Sequence, residues 1–366
     1  MSNYTKYFSP FSAVLLIVAV TVSLTQLGCS DNPLNGNSTL FGSTSYDPTA
    51  AKITMTLAAL TYVNENNPAF IKDSLKIQLA KTNYSTQGNW KLAWGPGLST
   101  DNANMMYIAV DSSEIIPSYC LAIRGTDWCY LTNVIEDFFV DQTVYPFGTA
   151  SDTVKVSDGS LIGLDTLLQL KDPATGKTMQ QFLAGLPSIG STFYITGHSL
   201  GGALATIVTS WFLDAGFGGK FRVKSYTYAA PSVGNDGYRL YFDNLVSSKG
   251  AESHRLINSR DLVPRFCANL QQIIDDQIPT TLPALVTALI QTTQQYFGDS
   301  INYKNVAFTE EIGSYTPTNC PGSSGSLDNY ACWVGFEHDH NNYLRLLNAD
   351  TTSFFYAGCP LTITVR

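Results

Sequence analysis

The sequence predicts an α/β fold: a mostly parallel central sheet with helices on both faces. Three observations carry that prediction. Short β-branched and aromatic runs alternate with helix-like stretches, as in successive strand–helix–strand crossovers. A glycine-flanked serine, Gly197-His198-Ser199-Leu200-Gly201, stands between a strand-like run and a helix-like run. The 366 residues are 44% hydrophobic and only 14% charged, ample for a core.

The expected strands are residues 105–110, 119–123, 192–196, 223–228 and 255–257. No linker is strong enough to divide residues 49–366, which read as one domain. Within it, the run Ser191-Thr192-Phe193-Tyr194-Ile195-Thr196 is the strand before the serine. Gly202-Ala203-Leu204-Ala205-Thr206-Ile207-Val208, continuing to Trp211-Phe212-Leu213, is the helix after it. Strand, G-x-S-x-G, helix is the nucleophile elbow, which exposes a serine hydroxyl at a helix N-terminus. Glycines two before and two after the serine leave room for a strained turn. Ser199 is therefore the candidate nucleophile.

A serine hydroxyl needs a base, an orienting carboxylate and an oxyanion hole. The chain has four histidines. His198 lies inside the elbow with its side chain directed away from that of Ser199, and reads as packing; His254 lies in a strand-like run and reads as structural. That leaves His338 and His340, in Glu337-His338-Asp339-His340-Asn341-Asn342-Tyr343. In an α/β-hydrolase the acid and then the histidine follow the serine. Asp261, in a loop after a strand-like run and before Pro264, fits the acid. Asp214 ends the helix that follows the elbow and Asp236 sits in a turn.

These segments resemble the class 3 lipase family, the fungal-type lipases and feruloyl esterases, over about residues 50 to 347. Besides the elbow, Ala122-Ile123-Arg124-Gly125-Thr126 resembles the family's oxyanion turn, and Tyr228-Ala229-Ala230-Pro231 its strand after the elbow. Asn258 to Pro264 resembles its acid loop, and His340-Asn341-Asn342-Tyr343 its H-x-x-Y base. The resemblance implies an α/β-hydrolase fold and a triad of Ser199, Asp261 and His340, with His340 preferred to His338 because it alone is followed by x-x-Tyr. It implies backbone oxyanion donors at Thr126 and Leu200. It also implies a carboxylic ester hydrolase, first of all a triacylglycerol lipase. A feruloyl or short-chain esterase, a phospholipase A1 or an acyltransferase would use the same residues; a non-catalytic binding protein would lack one of them. Leu262 where the family often has proline, and Ala230-Pro231-Ser232 for a Gly-x-Pro-Arg-like run, mark a distant branch.

Two segments bear on substrate. Residues 127–138 stand where the resembled family carries its lid. There Trp128, Leu131 and Ile135 fall at i, i+3 and i+7, and with Val134 they are the expected lid and substrate contacts. An additional segment, about 268–330, separates Asp261 from the histidines. Its Leu282, Leu285, Val286, Leu289 and Ile290 make a helical stripe, and no charge occurs from Thr280 to Gly298. Core packing and a second lipid-facing cover are both readings of it.

Residues 1–28 read as an export signal, with Lys6, an apolar run from Ala13 and the box Leu27-Gly28-Cys29-Ser30. Cys29 is the candidate lipidation site and membrane anchor, with 29–48 a polar tether. The expected location is exported, either secreted or lipid-anchored at a bacterial cell envelope. Setting Cys29 aside, the other six of seven cysteines suit disulfides, with Cys120–Cys129 and Cys320–Cys332 as local pairs. The net charge of -8 argues against a nucleic-acid partner. Adjacent residues rarely chelate one ion well, so Glu337-His338-Asp339-His340 makes no metal site, and no metal or cofactor is expected. The expected partners are a lipid or ester substrate and a lipid–water interface, engaged by a monomer.

Overall fold

The β-branched runs pair into a seven-stranded sheet in a computed structural model. The structure describes residues 46–353 except 66, 126–140, 266–267, 298–301, 307, 316–319 and 321–325. Its strands are β1 (Trp90–Leu98), β2 (Met105–Asp111), β3 (Ser118–Ile123), β4 (Gln142–Val144), β5 (Lys155–Ser157), β6 (Thr192–His198), β7 (Arg222–Tyr228), β8 (Gly234–Asn235), β9 (Glu252–Ile257), β10 (Tyr303–Lys304) and β11 (Phe308–Glu311). The helices are α1 (Pro48–Ala59), α2 (Ile71–Leu79), α3 (Asp158–Gln169), α4 (Met179–Gly185), α5 (Leu200–Asp214), α6 (Asp236–Ser248), α7 (Leu270–Asp275), α8 (Ala284–Phe297), α9 (Leu327–His338) and α10 (His340–Leu346).

The main sheet runs β1-β2-β3-β6-β7-β9-β11, and a small second sheet runs β10-β8-β5-β4. From β3 to β11 every pairing in the main sheet is parallel, whereas β1 and β2 are antiparallel additions. Strands covered on both faces are buried nearly throughout, and β9 is buried over five of its six residues, the polar Ser253, His254 and Arg255 among them. β1 escapes sequence recognition because Gly95-Pro96-Gly97 interrupts it with register shifts. Proline cannot donate to a ladder, and the edge position of β1 tolerates that.

Helices cover both faces. On one, α5 buries Ala203, Leu204, Ile207, Val208 and Phe212 against Leu121, Phe193 and Ile195. On the other, Leu57 and Leu60 join Leu75 and Leu79 of α2 against Tyr107, Ala109 and Ala122. Each such buried leucine contributes about 1.5–3 kcal/mol. α1 starts sharply: the Asp47 carboxylate accepts the Thr49 and Ala50 N–H groups, with Pro48 in the first turn. It then crosses β7, where Thr54 Oγ1 lies 2.8 Å from the Tyr228 hydroxyl.

Cys120 corrects one expectation. It is unpaired and buried with Tyr107 and Ala122, so the anticipated Cys120–Cys129 bond does not form. Strand alternation gives Cys120 the same face as Ala122, into the apolar cluster, where burial pushes its thiol pKa up. Cys129 itself lies outside the described residues, as do Cys29 and the rest of residues 1–45. The other local pair, Cys320–Cys332, is bonded and ties residue 320 to α9.

Candidate active site

Two loops at the carboxyl ends of parallel strands converge with a junction between two helices, at the usual ligand position of an open α/β sheet. The first is the elbow between β6 and α5. Ser199 adopts φ 60° and ψ -131°, a strained conformation for a residue with a side chain. Its N–H donates to the Tyr228 carbonyl at 2.9 Å, and its own carbonyl accepts from Gly202 at 2.9 Å. A Cβ on Gly197 would collide with the Gly201 carbonyl, and one on Gly201 would lie 2.7 Å from the Gly125 nitrogen. The glycines of the motif are thus demanded by close packing of the elbow against itself and against the turn after β3.

The second loop follows β9. Asp261 donates its N–H to the Asn258 carbonyl at 3.1 Å, and its Oδ1 accepts from Val263 N–H at 2.9 Å. Arg265 donates to the Asp261 carbonyl at 2.9 Å. Arg255 of β9 reaches the Ala230 and Pro264 carbonyls at 3.0 and 2.6 Å, fastening this loop to the one after β7. Burial lowers the Arg255 pKa to about 10.

The third element is the junction of α9 and α10. His338, the last residue of α9, places Nδ1 2.8 Å from Asp261 Oδ2 and Nε2 2.7 Å from Ser199 Oγ. All three side chains are buried. With the Nδ1 proton donated to Asp261, Nε2 is left to accept the serine hydroxyl. The expectation of His340 is therefore corrected to His338. His340 begins α10, its Nε2 is 3.1 Å from Thr352 Oγ1 and its ring stacks on Tyr62 at 5.1 Å. The reason is a break between the helices. Asp339, at φ -61° and ψ 134°, ends α9 and caps α10, so the two histidines belong to different helices.

His198 packs behind the site, as its place in the elbow suggests. Its Nε2 lies 2.9 Å from the His338 carbonyl and its Nδ1 3.0 Å from the Tyr62 hydroxyl. That pairing suits a neutral ring, donating from Nε2 and accepting at Nδ1. Burial, and next the neighbouring His338 and His340, hold its pKa well below the usual value.

Leu200 is the first residue of α5, where an N–H has no carbonyl within the helix to bond. Thr126 and the expected lid residues Trp128, Leu131, Val134 and Ile135 lie outside the described residues. Gly125, just before Thr126, lies against Ser199: a Cβ there would be 3.2 Å from Ser199 Cβ. Among the described residues there is no cluster of three or more metal-ligating side chains. Sequence reading missed Tyr343 as a partner of Asp261 and passed over Asn258 and Glu337. Their signal was present, as the polar run from Glu337 to Asn342 has no reason to be buried unless its members bond one another.

The "Lipase (class 3)" family model matches residues 120–270, which hold the elbow and the acid loop. "Secreted mono- and diacylglycerol lipase 1" of Fusarium solani is 40% identical over 74 residues, 20% of each chain. "Phospholipase A1-II 1" of Oryza sativa subsp. indica is 38% identical over 72 residues, 20% of this chain and 18% of that one. This chain thus spans about a fifth of the length of these curated relatives. Among solved structures, that of M37 lipase is similar with a TM-score of 0.66 and 25% identity, covering 83% of this chain and 94% of the other. Lip2 lipase of Yarrowia lipolytica shares the fold with a TM-score of 0.53 and 20% identity, covering 81% and 92%. The elbow and the acid loop lie inside the segment similar to the class 3 lipase family, and the sheet around them has the α/β-hydrolase fold.

Proposed function

We propose that this chain is an exported carboxylic ester hydrolase that cleaves glyceride esters at a lipid–water interface, with Ser199 as nucleophile, His338 as base and Asp261 as acid. The observation that carries the reading is the unbroken chain of 2.7 and 2.8 Å contacts through His338. Ser199 Oγ attacks the ester carbonyl and passes its proton to His338 Nε2. Asp261 orients the ring and stabilises the imidazolium. The N–H of Leu200 and that of Thr126 receive the oxyanion, each donor contributing roughly 3–4 kcal/mol to the transition state in comparable enzymes. His338 then protonates the departing alcohol, and water, activated by the same ring, releases the acid from Ser199.

Residues 127–138 act in this reading as the lid that uncovers the acyl groove. Export is supported by the apolar leader sequence and by the secreted relative, and Cys29 is proposed as the lipid anchor. The test is hydrolysis of p-nitrophenyl esters from acetate to palmitate and of emulsified triolein, with Ser199→Ala alongside. Rates that peak at long acyl chains and disappear in the variant support a lipase. A peak at acetate or butyrate would make it an esterase, and a variant that keeps the rate would overturn the triad.

A further inference from the structure

Beside the three site residues lies a fourth acid that the mechanism does not use. Glu337, immediately before His338, is fully buried. Its Oε2 accepts the Asn258 side-chain amide at 2.7 Å and that of Asn342 at 3.2 Å. The Asn258 amide also reaches the Glu337 carbonyl at 2.8 Å, so one asparagine grips the end of α9 twice. Asn258 in turn carries the acid loop, since its carbonyl accepts the Asp261 N–H and its Oδ1 the Arg260 N–H. The other carboxyl oxygen, Oε1, is buried with no hydrogen-bond partner.

A buried carboxylate served only by amides at one oxygen is costly to ionise. From the acid loop it faces Asp261, whose charge opposes ionisation, and Arg260, which favours it; α10 contributes only the Asn342 amide. His338 adjoins it on α9.

We infer that Glu337 is a positioning residue of the site: it clamps the acid loop to the histidine helix, and its change of charge modulates the Ser199–His338–Asp261 chain. The inference rests on the catalytic roles proposed above. Burial, with Asp261 adding to it, raises the Glu337 pKa to about 7, so the change falls near neutral pH. Ionised, Glu337 puts a second negative charge behind the imidazolium that forms as Ser199 attacks. At the separations of a packed site, an added charge in an effective dielectric near 20 is enough to alter rates severalfold.

The experiment is the rate of Ser199 phosphorylation by diethyl p-nitrophenyl phosphate from pH 5.5 to 9, in wild type and in Glu337→Gln. The Ser199 oxygen forms the new bond to phosphorus, p-nitrophenolate leaves with the electron pair, and the serine proton goes to His338. Glutamine is a neutral isostere of the protonated acid, so the two proteins should react within about twofold of each other below pH 6. Above pH 7 the variant should fall behind by about three- to tenfold, with the divergence centred near pH 7. Curves that stay parallel at every pH would reduce Glu337 to a packing role and overturn the inference, as would a variant faster at high pH. Failure of wild type to be phosphorylated at all would instead strike the proposed triad. Asn258→Asp, which puts an acid where the clamping amide is, should repel the ionised Glu337 and slow the reaction most above pH 7.

Discussion

Tyr343 donates its hydroxyl to Asp261 Oδ2 at 2.8 Å, on the oxygen that also faces His338 Nδ1 at 2.8 Å. The same hydroxyl accepts the Asn258 N–H at 3.0 Å. Burial, with the Asp261 charge adding to it, holds the phenol pKa far above its usual value, so Tyr343 is a permanent donor. Removing that donor in Tyr343→Phe leaves Asp261 Oδ2 with the histidine only and the Asn258 N–H without an acceptor. We expect about 1–3 kcal/mol of lost stability and roughly a tenfold drop in kcat, read by urea unfolding and ester hydrolysis. A variant with wild-type kcat would show that the tyrosine does not orient the acid.

The two histidines separate cleanly by substitution. His338→Ala removes the only ring in contact with both Ser199 and Asp261 among the described residues, and kcat should fall by about 10⁴-fold or more. His340→Gln keeps a polar group facing Thr352 while loosening the stack on Tyr62. It should lower the melting temperature while changing kcat by less than about tenfold. The reverse ranking would return the base to His340.

How far the site could be read from sequence follows from these residues. Ser199 was legible because the elbow needs glycine at fixed positions, and backbone constraints leave a sequence trace. Asp261 was legible from its place beyond a strand. The histidine beside Ser199 escapes the spacing because x-x-Tyr measures from a tyrosine that in this fold bonds Asp261, and a helix break at Asp339 is invisible to spacing. All five expected strands form: β2, β3, β6 and β7 carry the β-branched and aromatic residues that mark a strand, whereas β9 shows chiefly at Leu256-Ile257. β1 carries Pro96 on an edge, and β11 is four residues in the additional segment, so neither left a period to follow. Cys120 was paired by proximity in sequence, whereas strand alternation had already directed it into the core.

The additional segment presents apolar surface beside the site. Through Ile273, Ile278 and Leu282 it packs on Tyr330 and Val334 of α9, the helix that ends at His338, with Leu262 of the acid loop alongside. On α8, Leu285 and Leu289 lie one turn apart and are exposed by 60% and 37%. If α8 meets the lipid surface, Leu285→Gln with Leu289→Gln should weaken adsorption to triolein emulsion about tenfold or more. Hydrolysis of a soluble ester should stay within twofold. Unchanged adsorption would confine α8 to packing.

The bond between Cys320 and Cys332, 12 positions apart in sequence, closes a loop onto α9. Loop entropy for a closure of this size is about 3 kcal/mol. Replacing both cysteines with serine should lower the melting temperature by about 5–10 °C. Activity should vanish in parallel with unfolding, since α9 carries His338. Thermal curves and activity measured on the same samples would separate this from a direct effect on the site, which would reduce kcat at temperatures where the protein is still folded.

Stability should depend on pH through two buried groups of opposite sign. His198 stays neutral when folded, with its pKa depressed below 6.5 by burial first. Below that pH the unfolded chain binds a proton that the folded chain refuses, so this contribution is present above about 6.5 and lost as pH falls. Glu337 behaves in the opposite way, its folded pKa being raised from 4.5 to about 7. Between those values the folded chain holds a proton that the unfolded chain lacks, so this contribution is fully present below 4.5 and lost as pH rises through 7. From pH 7 to 5 the two offset each other in the wild type. Glu337→Gln removes the second, so its stability should fall more steeply on acidification, by up to one proton or about 1.4 kcal/mol per pH unit. Urea unfolding at pH 8, 7, 6 and 5 measures this. Parallel dependences in the two proteins would mean that Glu337 is ionised throughout, and its unpartnered oxygen would then be a buried charge that the fold tolerates.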